Sequence, residues 1–297
     1  MKNLSLYLLL AILLIFSACG AGKKLTIKQQ NANQYFYEKN YDSAAITYQS
    51  IITEYESKNI SAPSEIYASA GKALYYSGKE KEGIDYLYKA ESMGFDDELS
   101  ISMKMKYYAK IDNHTKELDN LEKYNTMYRD GDDIQYVKKR LLFRYMQMKE
   151  YQKAISAYEG LKIPDSEEID NLELYHTALT KCNQKDKANQ VAKKIFNLDP
   201  NNYIGLNYMA WSCYYSVETD YKKAIAEYEA KKTNATYKIM VDKTKPMIDR
   251  YKKAKIYYIK LYNLYKNPTD AAILARIFTR LNDKKNAAIY EKLANKK

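Results

Sequence analysis

Proline and glycine are scarce, with 5 and 9 copies in 297 residues. So few chain breakers disfavour a β-sandwich and a glycine-rich α/β enzyme. Histidine is rarer still, at 2. His114 lies in a turn-like Asp-Asn-His-Thr, and His176 reads as a histidine at the edge of a core. No His/Cys pair has metal-ligand spacing, and the chain lacks a phosphate-cradling glycine loop and a nucleophile elbow. The acid pairs Asp132-Asp133 and Glu167-Glu168 read as helix-starting turns, where carboxylates favour N-termini. The reading is of a chain that is not an enzyme and carries neither metal nor cofactor.

What is present is apolar, tyrosine-rich and basic. Hydrophobic residues make up 46%, enough for a substantial core, and 33 Tyr stand against 6 Phe and 1 Trp. A Tyr packs its ring while its hydroxyl stays wet, which suits a thin structure. Net charge is +11. That balance fits an acidic partner or nucleic acid, and equally a codon bias favouring Lys, Asn, Ile and Tyr. Between Lys222 and Lys266 there are 13 Lys/Arg and 4 Asp/Glu, so that stretch holds +9 of the total.

The N-terminus bears on the compartment. Lys2 is followed by an apolar run from Leu4 to Phe16, then Ser17-Ala18-Cys19-Gly20. The run is shorter than the ~20 residues a spanning helix needs, and it ends in small residues, as a secretory signal does. With Cys directly after Ser-Ala, it resembles a bacterial lipoprotein signal, although Phe16 stands where that motif usually has Leu. The resemblance implies removal of residues 1–18, lipidation of Cys19 and a short tether over 19–26. Gly20 in place of Asp implies the outer membrane of a Gram-negative cell envelope. The absence of acidic residues after Cys19 implies a periplasm-facing protein. Export also argues against nucleic acid as the partner.

Residues 67–95 read as two amphipathic helices broken at Ser77-Gly78. Tyr67, Ala70, Gly71 and Leu74 share one face of the first, and Gly83, Leu87 and Ala90 line the second. Related units recur at Ala44, Gly83, Glu117, Ala154, Ala188, Ala224 and Ala287, spaced by 39, 34, 37, 34, 36 and 63 residues. Tyr35, Leu74, Tyr108, Tyr145 and Leu179 hold a large residue late in the preceding helix. Ala44-Tyr48-Ile51, Ala154-Tyr158-Leu161 and Ala188-Ala192-Ile195, the last followed by Pro200, carry the second-helix pattern. In period and pattern the chain resembles the tetratricopeptide repeat (TPR) family. The resemblance implies an all-α fold, a right-handed α-solenoid of TPR-like helical hairpins, over 27–232 and again over 268–297. Residues 233–267 leave the repeat and form an irregular basic helical segment. In it Pro246 starts a long helix whose apolar face is Met247, Ile248, Tyr251, Ala254, Tyr258, Leu261, Tyr262 and Tyr265. A long turn is expected after Trp211, inside the sixth hairpin. In this register Cys182 and Cys213 sit at different heights on neighbouring helices, so no disulfide is expected.

Two surfaces follow. The TPR register places Phe36, Tyr37, Lys72, Tyr75, Tyr76, Lys106, Lys110, Tyr136, Lys139 and Phe143 on the groove formed by the first helices. Alternating rings and lysines there suit an extended acidic or aromatic peptide segment, or else the rings pack against the next repeat. The Lys/Asn clamp some TPRs use for a C-terminal carboxylate is absent at Gln29 and Asn33. The second surface is basic, with Lys252, Lys253, Lys255 and Lys260 offered to anionic lipid or an acidic protein. The expected function is a non-enzymatic scaffold or adaptor lipoprotein, joining protein partners in the envelope and reaching the membrane through its N-terminal lipid. A glycan- or substrate-binding lipoprotein is the alternative.

Overall fold

A computed structural model describes residues 24–295. The expected signal and Cys19 lie outside those residues. No strand occurs among the described residues. The helices are α1 (24–37), α2 (Tyr41–Glu56), α3 (Ser64–Tyr76), α4 (Glu80–Ser92), α5 (Glu98–Lys110), α6 (His114–Met127) and α7 (Ile134–Gln147). They continue with α8 (Tyr151–Glu159), α9 (Ile169–Lys181), α10 (Lys185–Leu198), α11 (Tyr203–Ala230) and α12 (Asn234–Thr244). The last are α13 (Met247–Tyr265), α14 (Pro268–Arg280) and α15 (Lys284–Ala294). The chain forms two compact units that divide between Arg144 and Tyr145. In each unit helices pair into TPR-like hairpins, the α-solenoid arrangement. Helix α1 is already under way at residue 24, so the helical part begins inside the stretch 19–26 read as tether.

One turn is repeated six times. Lys39, Gly78, Asp112, Lys149, Asn183 and Asn282 each adopt positive φ just before the cap of a second helix. The next N–H reaches back to a carbonyl five residues earlier, at 2.8–3.0 Å: Asn40 to Tyr35, Lys79 to Leu74, Asn113 to Tyr108, Glu150 to Tyr145, Gln184 to Leu179 and Asp283 to Phe278. This Schellman closure satisfies carbonyls that the first helix would otherwise leave open. The large late-helix residues of the sequence pattern are therefore also the acceptors of the turn. Four residues after each cap comes the small residue that defines the repeat: Ala44, Gly83, Ala154, Ala188 and Ala287, with Glu117 as the exception.

In the first unit, small residues set how closely the helices approach. A Cβ on Gly83 would lie 2.6 Å from the Gly71 carbonyl oxygen and 2.7 Å from the Tyr75 nitrogen, and one on Gly71 would lie 2.8 Å from the Gly83 carbonyl. Around this crossing Tyr48, Tyr67, Leu74, Ile84 and Leu87 are buried in one core with Ala44 and Ile51. Tyr48 keeps its hydroxyl bonded to Asn33, at 2.6 Å.

The first unit also buries charge. Glu117, fully buried, accepts from Arg140 Nε and Arg144 Nε, each at 2.7 Å. The Phe143 ring lies 5.8 and 5.5 Å from the two guanidinium carbons. Lys104, also fully buried, holds Glu91 at 2.5 Å and Asp96 at 2.9 Å and sits 5.0 Å from the Tyr88 ring.

The second unit departs from the repeat after α10. No turn follows Trp211; α11 runs unbroken for 28 residues. The position matching the positive-φ turn residue is Thr219, whose branched Cβ makes that conformation costly. The partner of α11 is α13, which returns antiparallel to it. Ring pairs Tyr203–Tyr265, Tyr214–Tyr258 and Tyr221–Tyr251 lie 5.0, 6.0 and 6.2 Å apart, in reversed order along the two helices. Helix α12 makes the connection and buries none of its residues. On α13, Met247, Tyr251, Ala254, Tyr258 and Leu261 are buried. Ile248 and Tyr265, expected on the same face, are exposed; Tyr265 sits at the helix end, where its hydroxyl reaches the Asn201 carbonyl at 2.6 Å. Glu218 on α11 accepts from Tyr251 on α13 at 2.6 Å and from Arg280 on α14 at 2.8 Å. Cys182 and Cys213 are free thiols.

Candidate interaction surface

The first helices α1, α3, α5 and α7 carry the residues of the expected groove within the first unit. Phe36, Tyr41 and Tyr76 form one aromatic cluster: Phe36 lies 5.3 Å from Tyr41 and 6.1 Å from Tyr76, and Tyr41 stacks on Tyr76 at 4.8 Å. Tyr75 meets Tyr76 edge-on at 6.0 Å. Tyr37 stands 89% exposed, and Tyr76, Tyr136 and Phe143 are also exposed. Phe36 and Tyr75 are half-buried, so the rings divide between packing and display. Burial, then Glu80 and Tyr76, push the Tyr75 phenol above its ordinary pKa, and Tyr136 contributes in the same direction.

Three of the four lysines of this wall are paired with acids. Lys72 pairs with Asp97 and lies 5.8 Å from the Phe95 ring. Lys106 holds Asp133 at 2.8 Å and lies 5.9 Å from the Tyr136 ring. Lys110 holds Glu80 at 2.8 Å. Lys139 is half-buried. Each acid sits at the start of a helix: Asp97 caps α5, Asp133 precedes α7, and Glu80 opens α4. Burial alone would raise the Asp97 carboxyl, but hydrogen bonds from Lys72 and Ser100 outweigh it and hold Asp97 below its usual range. Asp133 is held low in the same way, by Lys106 and Ser102 against burial. The wall is therefore a charge-balanced ladder with exposed rings, not an open row of cations.

The lysines are legible in the sequence; their partners are not. Asp97 and Asp133 lie 25 and 27 residues downstream of Lys72 and Lys106. The usable signal was an acid at the cap of each following first helix. Tyr41, too, went unremarked.

The four lysines of the basic segment do not form one open patch. Lys252 bonds Asp249 at 2.9 Å, Lys255 lies 5.6 Å from the Phe278 ring, and Lys260 donates to the Pro200 carbonyl at 3.0 Å. Lys253 is exposed. Nearby, Arg250 and Lys232 are paired with Asp220 and Glu229 at 2.6 Å each, and Lys243 pairs with Glu227.

A second concavity was not foreseen. His176 and Thr180 on α9, Lys185 and Asn189 on α10, and Tyr203, Asn207, Tyr208 and Trp211 on α11 line a cavity of about 450 Å³. Burial lowers the His176 pKa, against the nearby Glu173, so the ring is neutral at physiological pH. Among the described residues no cluster of His, Cys, Asp or Glu is placed to hold a metal ion.

No protein-family model matches the chain, and no curated protein matches it in sequence. Among solved structures it is similar to a protein from Bacteroides ovatus, at 17% identity and TM-score 0.46, over 75% of this chain and all of that one. It is also similar to YrrB, described as a TPR protein with an unusual peptide-binding site, at 15% identity and TM-score 0.44, over 61% of this chain and 89% of that one. A tetratricopeptide repeat protein from Parabacteroides merdae aligns at 12% identity and TM-score 0.40, over 91% of both chains. Likeness at this level carries no functional argument, and the fold class rests on the helical hairpins described above.

Proposed function

We propose that the chain is a non-enzymatic, TPR-like scaffold that holds a segment of a partner protein against the wall formed by α1, α3, α5 and α7. The observation that carries this is the set of exposed rings, Tyr37, Tyr76, Tyr136 and Phe143, displayed on the wall that also carries the lysine–carboxylate ladder. Aromatic residues surrounded by neutralised polar groups are the composition of an interface core. Because Asp97, Asp133 and Glu80 already occupy the lysines, the partner binds chiefly through apolar side chains; its acidic groups compete only at a cost.

The lipoprotein-like signal supports a place in the cell envelope, with Cys19 lipidated, an outer-membrane anchor and the body facing the periplasm. Acyl chains contribute about 0.8 kcal/mol per buried CH₂, so more than one chain gives stable anchoring. The test is capture of partners from envelope membranes with the lipidated protein. Tyr37→Ala with Tyr76→Ala is expected to lose a partner that the parent retains, and Cys19→Ser to move the protein out of the membrane fraction. Retention of every partner by the double variant contradicts the assignment of the wall.

A further inference from the structure

The cavity between α9, α10 and α11 combines two chemistries that a wall of packed repeats does not need. One side is aromatic. Trp211 of the lining stacks nearly parallel on Tyr215, which lies outside it, 4.9 Å apart at 13°, and both are exposed. Tyr203 and Tyr208 extend the apolar lining. The other side is polar and uncommitted. The half-buried amides of Asn189 and Asn207 and the imidazole of His176 line the same space. Across the described residues none of these three side chains is hydrogen-bonded within the protein, and His176 is neutral. The lining contains no carboxylate, and its charged member, Lys185, is exposed at the start of α10.

We infer that this cavity is a saccharide subsite, taking a neutral sugar of one or two rings. A volume of about 450 Å³ lies within the range of small-molecule sites. A pyranose has an apolar face of C–H groups, which suits the Trp211 edge of the cavity, and a rim of hydroxyls that both donate and accept. Two amides and a neutral imidazole also both donate and accept, so each finds a partner. A purely apolar occupant, such as an aromatic peptide side chain, covers the rings but leaves the amides stripped of water and unpaired, a penalty the sugar avoids. The subsite belongs to the second unit and is independent of the partner wall in the first, so either assignment can fail alone.

Trp211 is the chain's only tryptophan, so its emission reports on this cavity in the intact protein. Cellobiose, maltose, galactobiose and N,N′-diacetylchitobiose are titrated in turn, with N-acetyltyrosinamide as the peptide-like control. The expected result is a saturable change in emission with at least one disaccharide and none with the control. Asn207→Ala and Asn189→Ala each weaken that binding about tenfold at unchanged helix content. The two substitutions lie on different helices, so misfolding of one leaves the other informative. No response to any of the four sugars overturns the inference. So does saturation by N-acetyltyrosinamide alone, or a sugar response that survives both substitutions.

Discussion

Gly71 and Gly83 face each other where α3 crosses α4, and the atoms that a Cβ on Gly83 would meet are all backbone. Backbone cannot yield by changing rotamer, so Gly83→Ala must push the helices apart. A loss of about 1–3 kcal/mol is expected by urea denaturation. Gly78, at φ +88° with nothing within 4 Å of its missing Cβ, suffers only the cost of left-handed backbone, about 1–2 kcal/mol for Ala. Glu117 is the opposite case, a charge where its repeat equivalents are Ala or Gly. Glu117→Ala removes the buried carboxylate to which Arg140 and Arg144 both donate and is expected to cost about 3–5 kcal/mol. Adding Arg140→Met and Arg144→Leu should recover most of that loss, because apolar side chains refill the space with no charge to desolvate. A Glu117→Ala variant as stable as the parent contradicts the buried triad.

At the scale of helices, the hairpins were legible because their signals are local. Small residues four positions after each cap, large residues late in the first helix, and turn residues able to adopt positive φ all lie within a dozen positions of one another. The ion pairs were not legible. Glu117 finds Arg140 and Arg144, and Lys72 finds Asp97, only when hairpins stack, and no local pattern encodes that distance. The sixth turn failed for a local reason instead: an alanine in phase at 224 suggested a hairpin, while Thr219 lacked the backbone freedom to make one. A further element-scale effect sits at the start of α14. Asp270 is buried there, one carboxylate oxygen has no hydrogen-bond partner, and burial raises its pKa to about 6. The folded state therefore favours the protonated acid. The associated stability is complete below the unfolded value of 3.8 and is lost as pH rises through about 6. Asp270→Asn should be more stable than the parent above pH 6, by at most about 3 kcal/mol, with the difference vanishing toward pH 4. Thermal melts across that range check it, and a gain that persists undiminished at pH 4 contradicts it.

For the whole molecule, the two units are assigned different work. The first displays rings on a charge-balanced wall; the second abandons the repeat to pair the long α11 with α13 and opens a mixed aromatic and amide cavity. The acids that pair with Lys232, Lys243 and Lys252 are already counted in the +9 of residues 222–266, and the proposed protein contact rests on the ring-bearing wall. A photo-crosslinking residue placed at Tyr37, Tyr76 or Tyr136 in the lipidated protein, in intact envelopes, tests that directly. Ile46, 64% exposed on the second helix α2, serves as the control position. A discrete crosslinked partner is expected from the three wall positions and none from Ile46. No crosslink from the wall, or the same products from Ile46, would contradict it.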